Sequence, residues 1–353
     1  MDIPAIPWTL SRPPKRVLAI RLQATGDVVI TLPYLQELRR RLPPDTPLDF
    51  LTREETASIP QSLRLFGKVF AIGGGRNHRK QWLYTLLLLP LLLVRRYEVV
   101  IDLQNNRISR FVTRVLSPRA WSQFDRFSPI PAGERNRLTI EAVGLTLQAP
   151  SGSRQAMPGL HPRGRFRLRN PLEGLLLLKS HGWNCQDELV LLNPAGAFVT
   201  RHWSIDNYVA FARLWLEEHP TTRFLVLGTP FIAPRAALLR EQLGHQLIDL
   251  TGKTTPAEAF AVLQHVSFAL SEDSGLMHMA WTSGIPTLAL FGSTRSDWAR
   301  PLGPHTGFLD SSDLPCGNCM QSVCALGDVR CMKRYAPEDI FQKALLLTQK
   351  TLI

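Results

Sequence analysis

Residues 266–292 read VSFALSEDSGLMHMAWTSGIPTLALFG. An apolar run, Val266 to Leu270, ends in Ser271-Glu272-Asp273-Ser274-Gly275. A short helical pattern follows, then Gly284-Ile285-Pro286 and a second apolar run from Thr287 to Phe291. This order predicts strand, polar loop, helix, turn and strand, the repeating unit of a parallel α/β sheet. The loop falls at the carboxyl end of a strand, where open α/β sheets bind ligands. The first helical amides, from Ser274 to Met277, lack partners inside the helix and suit a phosphate. Ser274, Gly275 and Leu276 are therefore expected to face a phosphate-bearing ligand. Asp273 would repel phosphate, so its expected partners are hydroxyls, backbone N–H groups or a cationic side chain. His278 lies one turn into the helix, where a packed structural histidine competes with a ligand-binding one.

The pattern continues outward. Leu189–Asn193, Arg223–Leu227, 246–250 and 266–271 read as strands, alternating with helices at 205–219, 234–243 and 256–264. An earlier series reads as strands at Arg16–Leu22, Leu48–Thr52, Val69–Ile72 and Glu98–Leu103, with helices at about 28–42 and up to Leu116. Residues 117–165, rich in Pro, Arg and Ser, read as irregular. Two such series in 353 residues imply two doubly wound α/β domains, since single cores rarely grow past roughly 250–300 residues. The expected division is 1–170, then 171–336 with a Cys-rich loop, then a C-terminal helix at 337–353 packing back on the first domain.

Charge is uneven. Residues 1–170 hold 27 Lys and Arg against 12 Asp and Glu, a balance of +15, while 171–353 hold 14 against 17, a balance of −3. The basic half should attract a polyanion: nucleic acid, anionic lipid headgroups or a phosphorylated glycan. No RNA- or DNA-reading motif accompanies it, so a nucleic-acid-binding module is the weaker reading. Residues 83–94, LYTLLLLPLLLV, are too few to span a bilayer, which needs about 20. With Arg79, Lys80, Arg95 and Arg96 at their ends they fit an interfacial helix, or equally a buried helix interrupted at Pro90. MDIPAIPWTLSRPPKR has no apolar core of a signal peptide, so a cytoplasmic location is expected.

Three further sites carry potential chemistry. Gly26-Asp27 stands where the first strand hands over to the first helix; the carboxylate suits a general base or, equally, a helix N-cap. Asn193-Pro194-Ala195-Gly196-Ala197 follows a strand, with Arg201 shortly after. Small residues and a planar cation suit a diphosphate, with Gly196 permitting close approach. Trp203 reads as packing. Cys316, Cys319, Cys324 and Cys331 lie within sixteen residues and can close a structural zinc or iron site, with free thiols as the alternative. Phosphate-binding Gly-Lys loops, dinucleotide-binding glycine fingerprints and serine-hydrolase elbows are absent. Gly73-Gly74-Gly75 reads as a flexible loop with no clear helix after it.

Taken together, RVLAIRLQATGDVVITLPYLQELRRRLP, EVVIDLQNNRISRFVTRVL, LLNPAGAFVTRHWSIDNYVAFARLW and DLTGKTTPAEAFAVLQHVSFALSEDSGLMHMAWTSGIPTLALFGST resemble the bacterial lipopolysaccharide heptosyltransferases of glycosyltransferase family 9. The resemblance runs from about 16 to 345, and Cys331-Met332 recurs in one branch of the family. It implies a GT-B architecture: two Rossmann-like domains facing across a cleft, the first for the acceptor and the second for the nucleotide sugar. It implies an inverting, metal-independent transfer, with ADP-heptose as donor and an anionic lipopolysaccharide core acceptor at the inner membrane surface. Asp27 matches the catalytic base and Arg201 a donor-phosphate cation that is usually Lys. Asp273 matches a donor-site carboxylate. Asn105 stands in place of a glycine of the family, Ser204 in place of a proline after Trp203, and Ile232 in place of a ribose-contacting Glu. Ribose recognition is therefore expected to differ, leaving another nucleotide sugar, or a protein acceptor, as alternatives.

Overall fold

The computed structural model describes residues 3–145 and 165–351. They form two compact units, the first running to Arg169 and the second from Asn170, with Arg165 in the second. In the first, β1 (Ala5–Ile6), β2 (Val17–Ile20), β3 (Leu48–Arg53), β4 (Val69–Ile72), β5 (Val99–Asp102) and β6 (Ala120–Gln123) form one sheet in the order β1-β6-β5-β2-β3-β4. All neighbours are parallel except β1, which runs antiparallel to β6. In the second, β7 (Leu189–Asn193), β8 (Arg223–Val226), β9 (Leu247–Asp249), β10 (Phe268–Glu272), β11 (Thr287–Leu290) and β12 (Thr306–Leu309) are parallel throughout, in the order β12-β11-β10-β7-β8-β9. Helices cover both faces, which is why the central strands are unbroken apolar runs rather than alternating ones. Strand order reverses between β2 and β5 in one sheet and between β7 and β10 in the other, and these are the two positions where such sheets open a ligand crevice.

The core of the first unit is built on Leu18, Ile20, Phe70, Leu92, Val100 and Val112. That of the second is aromatic: Trp203, Phe211, Trp215 and Phe268 are fully buried. The C-terminal helix Pro337–Thr351 joins this second core. Ile340, Phe341 and Ala344 form its buried stripe, and Phe341 meets Phe211 and Trp215 edge-on at 6.3 and 6.2 Å between ring centroids.

Two expectations need correction. Residues 117–145 are not irregular: they hold β6 and the helix Ala132–Ala142. That helix buries Arg135, Asn136 and Thr139 along with Ala132, Gly133 and Ile140, a mixed face with a weak hydrophobic signature. The remainder of the segment, 146–164, lies outside the described residues. Nor is the triglycine followed by loop. Asn77 caps a helix, His78–Val94, by accepting from the amides of Arg79 and Lys80, and the helix runs through Pro90 without a break.

The helices Glu173–Ser180 and Pro256–Leu263 meet backbone to backbone at Gly174, where an added Cβ would lie 2.4 Å from the Ala261 carbonyl. Gly174→Ala should therefore destabilise the protein by about 1–3 kcal/mol. Gly275→Ala, where nothing lies within 4 Å, should not. Urea denaturation would show this as a lower midpoint at unchanged slope for Gly174→Ala alone; equal midpoints would contradict the close packing.

Candidate functional site

At the first reversal point, the chain leaves β2 through Arg21 and enters the helix Thr25–Arg41. Asp27 is the third helical residue and not the N-cap, a place taken by Ala24, because the helix starts three residues earlier than its apolar pattern suggests. Gly26 is the second helical residue. The Asp27 carboxylate accepts the Ala24 amide at 3.1 Å and pairs with Arg21 Nη2 at 3.0 Å, with its side chain still 40% exposed. Arg21 is itself buried, donates to the Leu103 carbonyl and stacks on Phe124 at 4.9 Å. A held, half-exposed carboxylate of this kind can accept a proton from a ligand hydroxyl.

The loop before Asp27 is shaped from β5. Asp102 is fully buried and accepts from the amides of Gln104 (3.0 Å) and Asn105 (2.8 Å) and from Ser109 Oγ (2.9 Å). Burial pushes its carboxyl up to about 6, against the lowering effect of these donors. The turn so formed puts Asn105 at φ +49°, in the left-handed region that glycine and asparagine adopt most readily. It also aims Gln104, whose Oε1 accepts the amides of Leu22 (2.9 Å) and Gln23 (3.0 Å). Beside this loop lies a cavity of about 480 Å³, lined among others by Gln23, Arg53, His78, Gln81, Trp82 and Arg107. Its cationic wall suits an anionic ligand.

At the second reversal point β7 and β10 end side by side, with Asn193 in register with Ser271. Asn193 Nδ2 donates to Ser271 Oγ and Ser274 Oγ, both at 2.7 Å. Ser274 caps the helix Gly275–Thr282 and is engaged by Asn193 and the Met277 amide instead of facing outward. The Gly275 and Leu276 amides have no protein partner among the described residues, so the anion-binding positions narrow to these two. Arg201 Nη1 pairs with Asp273 Oδ2 at 3.3 Å and its guanidinium lies 4.6 Å from the Phe198 ring, so of the three kinds of partner open to Asp273 it has a cation. His278 is buried, and its Nδ1 accepts from the Trp281 indole at 3.1 Å, a packing arrangement. Trp203 is fully buried and donates its indole N–H to the Tyr335 carbonyl, as a packing residue should. Ile232 is buried in the hydrophobic core.

The organising residues of this site escaped the sequence reading. Glu272 is fully buried and ends β10; it does not belong to the loop. It accepts the amides of Gly196 and Trp203, both at 2.8 Å, and two bonds from Arg235 at 2.8 and 2.9 Å. Arg235 also donates to the carbonyls of Pro194 (2.7 Å) and Trp203 (2.6 Å). A Cβ on Gly196 would lie 2.8 Å from both Glu272 Oε2 and Arg201 Cβ, so glycine is required there by contact.

The four clustered cysteines carry free thiols. Among the described residues no group of three or more Cys, His, Asp or Glu is arranged to hold a metal ion. Burial, then the neighbouring thiols of Cys319, Cys324 and Cys316, push the Cys331 thiol up. The loop braces the Arg201 turn, with Thr200 Oγ1 donating to the Gln321 carbonyl at 2.6 Å and Cys331 Sγ lying 3.9 Å from the Thr200 carbonyl.

The family described as glycosyltransferase family 9 (heptosyltransferase) matches residues 151–330, half of the chain. Lipooligosaccharide heptosyltransferase 2 of Campylobacter jejuni is 26% identical over 43% of this chain and 49% of its own, so the match spans about half of that relative. Lipopolysaccharide heptosyltransferase 1 of Pseudomonas aeruginosa is 25% identical over 96% of this chain and 99% of its own. The solved structure of Escherichia coli ADP-heptose lps heptosyltransferase II superimposes with a TM-score of 0.70 over 96% of this chain and all of that one, at 14% identity, a likeness of fold. The two doubly wound units are thus of the GT-B class.

Removing one partner of the Glu272–Arg235 pair leaves a buried charge uncompensated. Glu272→Leu should destabilise by about 3–5 kcal/mol, and the double variant Glu272→Leu/Arg235→Met by less than either single change. Additive losses in a denaturation cycle would contradict the coupling.

Proposed function

Because the chain belongs to glycosyltransferase family 9, the heptosyltransferases, we propose that it moves a heptose from ADP-heptose onto a lipopolysaccharide core acceptor at the cytoplasmic face of the inner membrane. One observation carries this reading: Arg201 and the free amides of Gly275 and Leu276 flank the β7–β10 reversal point, an arrangement fitted to a diphosphate. The name of the E. coli neighbour, an ADP-heptose transferase, supports the choice of donor.

In this reading Asp27 takes the proton of an acceptor hydroxyl as its oxygen attacks the anomeric carbon. The bond from that carbon to the diphosphate breaks on the opposite side, which inverts the configuration. ADP leaves with the electron pair, and Arg201 with the helix amides stabilises the charge that develops on it, without a metal ion. Arg21 holds the Asp27 carboxylate in place. The cationic cavity beside Gln23 receives anionic groups of the acceptor. A second reading, transfer of a different nucleotide-linked sugar, is favoured by Ile232, an apolar residue buried in the core at the position where the family resemblance implies a ribose-contacting Glu.

Asp27→Asn should lower turnover by about 10²–10⁴-fold while leaving ADP affinity within a few-fold of wild type. Transfer of radiolabelled heptose, alongside calorimetric titration with ADP, would check both. Near-wild-type turnover would remove Asp27 from the base role, and transfer of other sugars in place of heptose would establish the second reading.

A further inference from the structure

The helix His78–Val94 is inside out by the standards of a globular protein. Its buried stripe includes Gln81 and Thr85 together with Leu89 and Leu92. Its exposed stripe is apolar: Leu83, Leu86, Leu87, Leu91 and Val94 are 55, 51, 66, 48 and 80% exposed. These positions follow helical i, i+3, i+4 spacing, so they form one continuous face. An apolar patch of this extent on a folded protein marks an interaction surface.

Its surroundings identify the partner. Residues 76–97 and 105–119, which contain this helix and the helix Arg107–Leu116 packed beside it, hold eight Arg, one Lys and no Asp or Glu. Arg79, Lys80 and Arg96 at the ends of the leucine face are exposed, as are Arg107, Arg110 and Arg114 on one side of the neighbouring helix. A second copy seated symmetrically on this face would set like charges against one another, whereas an anionic surface complements them. No helix among the described residues is long and apolar enough to cross a membrane. At about 1.5 Å per residue, 17 residues extend about 26 Å, suited to lying in the plane of the interface.

We propose that the leucine face of the helix His78–Val94 inserts into the headgroup region of an anionic lipid bilayer, with the flanking arginines on lipid phosphates. The inference deepens the functional reading above, on which it rests for the reason a lipid surface is met. His78, Gln81 and Trp82 of the same helix line the 480 Å³ cavity, so one element both docks on the bilayer and walls the acceptor pocket. A lipid-borne acceptor is then presented to the pocket from the surface on which the protein sits.

The test is flotation of the full chain with vesicles of phosphatidylglycerol and phosphatidylcholine, compared with phosphatidylcholine alone. Wild-type protein should float with the mixed vesicles and be released by salt. Leu87→Glu/Leu91→Glu should weaken partitioning on the order of tenfold or more, with an unchanged circular dichroism spectrum and unchanged transfer to a water-soluble, delipidated acceptor. Wild-type protein that stays with neither vesicle, or a double variant that floats like wild type, overturns the proposal. So does a wild-type dimer that the double variant converts to monomer, because the face then belongs to a second copy. Flotation that depends on Leu87 and Leu91 in a protein that transfers no sugar sustains the docking and removes only the enzymatic reading.

Discussion

The second unit depends on one buried carboxylate. Glu272 ends the central strand β10 with no exposure to solvent, and its two oxygens receive four hydrogen bonds: two from Arg235 and one each from the amides of Gly196 and Trp203. Such a group is costly to bury alone and tolerable only when every lone pair is used. Its bonds join the loop after β7, the turn carrying Arg201 and the helix carrying Arg235. Arg235 fastens the same loops a second time through the carbonyls of Pro194 and Trp203. The position of Arg201, and through it that of Asp273, follows from this network.

The first unit uses a related device. Asp102 ends β5 beside the reversal point, is fully buried, and satisfies its oxygens with two amides and the Ser109 hydroxyl. The turn it forms directs Gln104 onto the amides of Leu22 and Gln23, which are the approach to Asp27. In both sheets, then, a carboxylate at a strand end fixes a loop at the point where the strand order reverses, and the loop adjoins Asp27 in one unit and Arg201 in the other. The buried carboxylates are positioning groups, whereas the Asp27 side chain is 40% exposed and that of Arg201 16%.

Much of this was legible from sequence, for a physical reason. Strands of a parallel sheet buried on both faces must be continuous apolar runs, so VLAI, VVID and LVLLN declare themselves, and the loops following them can be located to within a residue or two. The repulsion a lone Asp would exert on phosphate gives Asp273 a hydroxyl, an amide or a cation as partner, and only the folded chain shows that Arg201 is the one. Arg235 was not legible, because it lies 37 residues from Glu272 and only tertiary folding joins them. Glu272 itself looked like a loop residue because a charged side chain ends the apolar run; its burial depends on the distant arginine. The helix Ala132–Ala142 escapes the pattern because its buried face mixes Arg135, Asn136 and Thr139 with Ile140, and the start of His78–Val94 does so because its first turn, His78 to Gln81, is polar.

The account stands or falls on whether the second unit holds an adenosine diphosphate through Arg201. Calorimetric titration of wild-type protein and of Arg201→Ala with ADP, UDP and GDP tests this directly. The account predicts that ADP binds most tightly and that Arg201→Ala weakens it by about 10–100-fold, the value of a charge-assisted contact. Equal affinity for the three nucleotides would contradict the assignment of donor, and undiminished ADP binding by Arg201→Ala would contradict the site.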